Sequence, residues 1–252
     1  MRFSDSFHQK SKNRLAEKRP AENDAIETSE EWVTVHYKSY PRAKKIKLTG
    51  AKPSGEISSL IEQRKSERIF SKQPVTLDAV SALLRYSCGI QKRDENADQG
   101  DTYHRAQPSA GGRFPIEIYL ANFVSGEIPS GIFHYDVREH QLDLLFMRQF
   151  TESDFSMLFT YPWVSKASCV LLLTGVFERN QVKYGERGYR QMLIESGHIG
   201  QNIGLVASAL GLKSVMLGGT FDDSIEKLLD IDGITESLLY SVAIGSRGSV
   251  HK

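Results

Sequence analysis

The 252-residue chain is short of cysteine, of long apolar runs and of excess charge, and each shortage removes a class of function. Its two cysteines, Cys88 and Cys169, stand far apart and form no C-x-x-C pair. Zinc sites and thioredoxin-type exchange therefore have no basis in the sequence. Both lie in apolar runs and read as buried structural thiols, in keeping with a reducing cytoplasm. No apolar stretch approaches the roughly 20 residues of a membrane helix, and the opening "MRFSDSFHQKSKNR" has no apolar signal core. The expected location is cytoplasmic. The formal net charge is only +1, which gives no electrostatic reason to expect nucleic acid or an anionic membrane as partner. No G-x-G-x-x-G or P-loop motif follows a strand, so a dinucleotide or P-loop reading fails. The histidines show no metal-ligand spacing and no Ser/His/Asp order stands out; His198 reads as a packed or hydrogen-bonded core histidine. There is no internal repeat.

What is present reads as two parts. Residues 1–55 form a polar arm, weakly ordered or in need of a partner surface, ending in an aromatic anchoring segment around "EWVTVHYKSYP". Residues 56–252 form the folded domain. Helices are predicted for "SGEISSLIEQRKS" and for "PVTLDAVSALLRYSCG", where Thr76 caps, Asp78 suits the positive helix end and Gly89 stops the run. "QKRDENADQGDTYHR" reads as a polar, mobile loop. "FPIEIYLANFV" and "GIFHYDV" read as a hairpin, and "SKASCVLLLTGVF" as a central strand apolar on both faces. A long helix is expected from about Gly188 to Leu210, then two buried strands, "GLKSVMLGG" and "LLYSVAIG", around the short helix "DDSIEKLLD". The fold class expected from these elements is α+β or α/β, with one mixed sheet and helices around it. On the long helix, Met192, Ile199, Ile203, Val206 and Leu210 make an apolar seam, beside a stripe of Gly200, Gly204, Ala207 and Gly211. Glycine in a helix costs up to about 1 kcal/mol relative to alanine. The stripe therefore marks a close approach to the backbone, by intramolecular packing, a second subunit or a flat ligand.

Three segments carry candidate chemistry. Arg64, Ser66 and Arg68 alternate in "RKSERIF", so an extended backbone puts them on one side, where two guanidiniums and a hydroxyl suit a phosphate. "AQPSAGGRFP" is a loop of small residues whose glycines let the backbone approach a planar ligand. "MLGGT" and "IGSRG" are glycine-rich strand ends, with Arg247 as a further cation. "KYGERGYR" sets Lys183 beside Tyr184 at the mouth of the long helix. Two adjacent residues share no face of a regular helix or strand, so joint action needs an irregular backbone, which Gly185 permits.

In this order, "RKSERIF", "PSAGGRFPIEIYL", "GIFHYD", "KYGERGYRQMLIESGHIGQNIGLVASALGL" and "GGT" resemble the SagB-type azoline dehydrogenases of the nitroreductase superfamily, over about Ile57 to Arg247. A weaker likeness extends into "FHQKSK" and "YKSYPRAKKIKL". The resemblance implies an α+β, nitroreductase-like fold with a mixed central sheet, and a homodimer holding FMN at the subunit interface. It places Arg64, Ser66 and Arg68 on the phosphate and ribityl chain. It places Pro108, Ser109, Ala110, Gly111 and Arg113 against the isoalloxazine, from the same or the other subunit. Gly218 and Gly219 would pass near the ring, and Arg247 would be a late phosphate contact. Lys183 and Tyr184 fall on the family's catalytic Lys-Tyr pair. The implied reaction oxidises thiazolines or oxazolines of a ribosomal precursor peptide to azoles, beside cyclodehydratase subunits. Azoline oxidation removes a Cα proton and a Cβ hydride, so the protein must supply a base. An ammonium beside a phenol favours the phenolate, and desolvation favours a neutral amine. Tyr184 is the candidate base or relay with Lys183 its activator; the reverse assignment, or substrate orientation by both, stays open. The rival readings are an NAD(P)H-dependent nitroreductase or quinone reductase, and a flavin-bearing scaffold subunit of a peptide-modifying complex.

Overall fold

The computed structural model describes residues 2–15, 56–94 and 102–246. Six strands form the main sheet in the order β5-β4-β3-β6-β8-β7. They are β3 (Ile116–Asn122), β4 (Gly131–Asp136), β5 (Gln141–Met147), β6 (Cys169–Val176), β7 (Lys213–Leu217) and β8 (Glu236–Gly245). Every pairing between them is antiparallel; the parallel member of this mixed sheet is a bridge from Ser66 to Ser214 on β7. β6 sits between β3 and β8, and its burial explains its unbroken apolar sequence. Cys169, Leu171 and Leu173 point into one core with Leu83, Met192, Ile199 and Ile203. Val170 and Leu172 point into the other with Phe155, Leu158 and Ile225. The first layer is built by α3 (Leu77–Cys88) and α6 (Glu186–Ala209), the second by α4 (Glu152–Leu158) and α7 (Asp222–Leu229). α2 (Ile57–Gln63) leads into the Arg64 segment. Burial pushes both cysteine thiols up to about 12, so neither is reactive. No described helix is long and apolar enough to cross a membrane.

The predicted cap at Thr76 is present, its hydroxyl accepting from Ala79 N at 3.3 Å. The helix glycines have protein neighbours. A methyl on Gly200 would stand 2.9 Å from the Tyr240 ring, and one on Gly204 3.0 Å from Met216 Cε and 3.4 Å from Arg64 Cδ. Intramolecular packing thus accounts for the close approach at both.

Elsewhere the structure departs from the sequence reading. Part of the expected mobile loop is a two-stranded ribbon, β1 (Ile90–Asp94) with β2 (Thr102–Arg105). Backbone pairing makes it, so no apolar alternation announced it. His198 is exposed rather than packed in the core. The start of the arm is α1 (Phe3–Ser11), docked on the domain. His8 is buried, with Nδ1 2.9 Å from Tyr189 Oη and Nε2 2.7 Å from Ser237 Oγ. Lys12 Nζ donates to Glu226 at 2.7 Å and to the Gly233 carbonyl at 3.2 Å. The described start of the arm, residues 2–15, thus packs on its own chain. The aromatic anchoring segment, residues 31–41, lies outside the described residues.

This docking site carries two opposed titrations. Burial, reinforced by Lys12, lowers the His8 imidazole from 6.5 to about 4. The native state then binds fewer protons, so stability is lost as pH falls from 6.5 toward 4. Burial raises Asp222 from 3.8 to about 6, so its contribution is lost as pH rises through that window. Each is worth about 3 kcal/mol at most, and between pH 4 and 6 they offset. We expect Asp222→Asn to become less stable as pH falls from 6 to 4 and His8→Asn to show the opposite slope. Urea midpoints across that range check both signs.

Candidate functional site

α5 (Phe177–Tyr184) and α6 meet at Gly185, whose φ of 54° and ψ of −139° belong to glycine. The joint is stapled by Gly185 N donating to the Gln181 carbonyl at 2.8 Å and by Asn180 Nδ2 donating to the Gly188 carbonyl at 2.9 Å. What read as a helix start is the end of one helix, a joint and the start of the next. Lys183 and Tyr184 form the last turn of α5, with Lys183 exposed and Tyr184 half-buried. The Lys183 ammonium lies over the Tyr184 ring, 5.4 Å from its centroid. The length of the lysine stem brings two neighbouring side chains to one place despite their diverging directions.

That place is the Pro108–Arg113 loop. Gly111 and Gly112 have φ of 62° and 63°. A methyl built on Gly111 would overlap the Tyr184 hydroxyl and stand 3.2 Å from Lys183 Nζ, whereas one on Gly112 would have nothing within 4 Å. One glycine therefore faces the Lys-Tyr pair and the next faces open space. Above the loop lies a groove of about 600 Å³, bounded by Tyr103, Arg105, Gln107, Pro108, Gly112 and Phe114.

The loop is braced from below. Ser109 Oγ donates to Glu195 Oε2 at 2.6 Å and accepts from Phe114 N at 2.9 Å; Gln107 Nε2 donates to Glu195 Oε1 at 3.2 Å. Glu195 is 2 % exposed. Burial raises its pKa, against the opposing pull of Ser109, Gln107 and Arg105. Arg105 itself lies over the Phe114 ring at 4.5 Å. The Ser109 hydroxyl, expected to face a ligand, is thus engaged in bracing. Arg113 Nε donates to the Arg179 carbonyl, tying the loop to α5. Gln107 and Glu195 were missed in the sequence, although a carboxylate on the buried stripe Met192, Glu195, Ile199, Ile203 was a legible anomaly. Glu195→Leu should lower stability by about 2–3 kcal/mol, because Gln107 and Ser109 lose their buried acceptor. Denaturant unfolding checks the size, and faster proteolysis within residues 107–114 checks the place.

Arg64, Ser66 and Arg68 follow α2 as an extended segment along β7, with Glu67 N donating to the Ser214 carbonyl at 3.0 Å. Neither arginine has an ion-pair partner among the described residues, which suits an anion. Gly218 is exposed, its carbonyl accepting from Asn13 Nδ2 at 3.1 Å, and it borders a separate pocket of about 220 Å³. Gly219 is buried because Thr160 and Tyr161 pack on its α-carbon, so its small size serves packing. Arg247 lies outside the described residues. Arg64 packs at Gly204 and Ser109 at Glu195. Nine residues of helix separate those anchors by about 13 Å and about half a turn, so the two segments occupy opposite faces of α6.

These residues fit FMN. Gly112 leaves room for a flat ring beside the groove, and Arg64 and Arg68, with no ion-pair partner among the described residues, can receive a phosphate. Among the described residues no cluster of ligating side chains could hold a metal.

The Nitroreductase family model matches residues 61–246. MJ1384 of Methanocaldococcus jannaschii, provisionally named a nitroreductase, is 27% identical over 176 residues, covering 70% of this chain and 85% of that protein. The trifolitoxin-processing protein TfxB of Rhizobium leguminosarum bv. trifolii is 29% identical over 192 residues, 70% of this chain and 49% of TfxB. The microcin B17-processing protein McbC of Escherichia coli is 29% identical over 139 residues, 51% of this chain and 49% of McbC. The chain thus spans about half the length of these last two curated relatives. In fold it is similar to a chain of the E. coli microcin synthetase McbBCD complex with truncated pro-MccB17 bound, with a TM-score of 0.71, 20% identity and coverage of 97% of this chain and 91% of that one. With the family model matching well over half of its length, this chain belongs to the nitroreductase family.

Proposed function

We propose that this protein is an FMN-dependent dehydrogenase that oxidises thiazoline or oxazoline rings of a precursor peptide to azoles, as a homodimer working with cyclodehydratase subunits. The observation that carries the reading is the convergence of Lys183 Nζ and Tyr184 Oη on Gly111 in the small-residue loop. Two relatives named for processing trifolitoxin and microcin B17 support a peptide substrate. The likeness to a chain of a synthetase complex supports partner subunits.

FMN, when bound, supplies the two-electron acceptor for the hydride leaving the ring Cβ. The chain supplies the rest. Tyr184 takes the Cα proton, with the Lys183 ammonium held over its ring. Gly112 lets the ring system approach the backbone, and the Gln107–Ser109–Glu195 brace keeps the loop from drifting. Arg64 and Arg68 hold the phosphate. Because the arginine segment and the loop sit on opposite faces of α6, two chains sharing each cofactor accommodate both better than one, which supports the homodimer.

The test is incubation of the flavin-loaded protein with a synthetic azoline peptide in air. A product lighter by two hydrogens, made without partner subunits, supports the reading. Conversion only after cyclodehydratase subunits are added would make the chain's oxidation dependent on the complex, and no conversion in either case would overturn the assignment.

A further inference from the structure

Gly185 is the one position between α5 and α6 with backbone freedom, and α1 bridges it. On the α5 side, Arg2 donates to Gln181 and lies 3.7 Å from Glu178, while Gln181 Nε2 donates to Ser4 Oγ at 3.0 Å. On the α6 side, the first amides of α1, Phe3 N and Ser4 N, donate to Glu186 Oε1 and Oε2 at 2.9 and 2.8 Å. Glu186 is the residue directly after the joint, and the Ser4 side chain, followed by the Ser4 and Phe3 amides and Arg2, holds its carboxyl below its ordinary value. At the far end of α1, about 14 Å away by helix length, Lys12 is fixed by Glu226 and Gly233. Between them His8 is seated on Tyr189 of α6 and Ser237 of β8. One short helix therefore grips both arms of the hinge that presents Lys183 and Tyr184, and is itself anchored on the sheet and on α7.

We infer that α1 is a positioning element for the Lys183–Tyr184 pair, with Glu186 and Arg2 as its two contact residues across the Gly185 joint. The inference rests on the proposed function only for its kinetic consequence. With α1 in place, the angle between α5 and α6 is set and Tyr184 Oη stays over Gly111. With it released, the joint keeps its local bonds at Gly185 and Gly188 but loses the ties to Arg2, Ser4 and the α1 amides, and the pair samples other directions. Neither Glu186 nor Arg2 touches the loop or the groove, so their removal leaves the cofactor residues unchanged.

The experiment compares full-length wild type with Glu186→Ala, Glu186→Gln and Lys12→Ala, all flavin-loaded. The inference expects hydrogen exchange at amides 181–186 to accelerate in Glu186→Ala. It expects kcat on an azoline peptide to fall about 10- to 100-fold, with KM and flavin content unchanged. Glu186→Gln, which keeps an acceptor for one α1 amide, recovers most of the rate. Lys12→Ala, which frees the same helix from its other end, reproduces the loss. Unchanged exchange in Glu186→Ala overturns the inference, as does faster exchange with a wild-type kcat. If wild type itself oxidises no azoline, the proposed function fails, and the exchange comparison still decides whether α1 holds the joint.

Discussion

Replacing Tyr184 with phenylalanine should slow azoline oxidation by about 10²- to 10⁴-fold, the ordinary worth of a positioned acid–base group, with flavin content and stability unchanged. The substitution removes one oxygen. That oxygen makes no hydrogen bond among the described residues, and the ring stays under the Lys183 ammonium. Folding therefore loses nothing that the structure records. Lys183→Ala should cause a comparable loss, and Lys183→Arg separates the two roles. An arginine keeps the positive charge but does not give up its proton. Recovered activity in Lys183→Arg makes lysine the activator and tyrosine the base, whereas inactivity with retained flavin reverses them. Wild-type turnover by both Tyr184→Phe and Lys183→Ala would sink the assignment. Single-turnover rates and the visible flavin spectrum are the two readouts.

The second large effect is on stability and comes from a residue of the arm. Lys12 and Glu226 form a buried pair, their side chains 2% and 6% exposed. Lys12→Ala leaves the Glu226 carboxylate with Ser237 and the Leu238 amide but no countercharge. Breaking one side of such a pair costs about 3–5 kcal/mol. Here the lower end is expected, because α1 can lift away and let water reach Glu226. The double replacement Lys12→Met, Glu226→Gln removes both charges and should recover most of the loss. Urea denaturation of the single and double variants measures it. A single variant within about 0.5 kcal/mol of wild type, the range of an ordinary surface change, would mean that α1 contributes nothing to the fold.

These two cases mark how far the sequence could be read. β6 and the long helix were legible because burial on two faces, or along one seam, writes itself as an apolar run or a period. β5 is mostly exposed or half-buried at the sheet edge, and α5, "FERNQVKY", is polar with no side-chain N-cap, so neither carried that signature. Lys183, Tyr184 and the Pro108–Arg113 loop were identifiable as separate segments. Their meeting at Gly111 depends on a positive-φ glycine on each side, which residue type permits without dictating. Ser109 and Gly219 show the opposite limit. Both were expected beside the cofactor, and the structure adds a contact that neither residue type announced, Ser109 Oγ with Glu195 and Gly219 with Tyr161. A small or hydroxyl residue is used wherever two surfaces come close, whether the second surface is cofactor or protein. The docking of α1 was hidden because its anchors, His8 and Lys12, are polar residues whose partners lie more than 180 positions away.

The most direct test of the central claim is one anaerobic mixing experiment. Oxidised, FMN-loaded protein is mixed in parallel with an azoline peptide and with NADPH, and the visible flavin absorbance is followed. Rapid bleaching by the peptide is expected, with loss of two hydrogens from it, and little or none by NADPH. Rapid bleaching by NADPH with no response to the peptide would contradict the central claim and make the protein a nicotinamide-dependent reductase on the same fold.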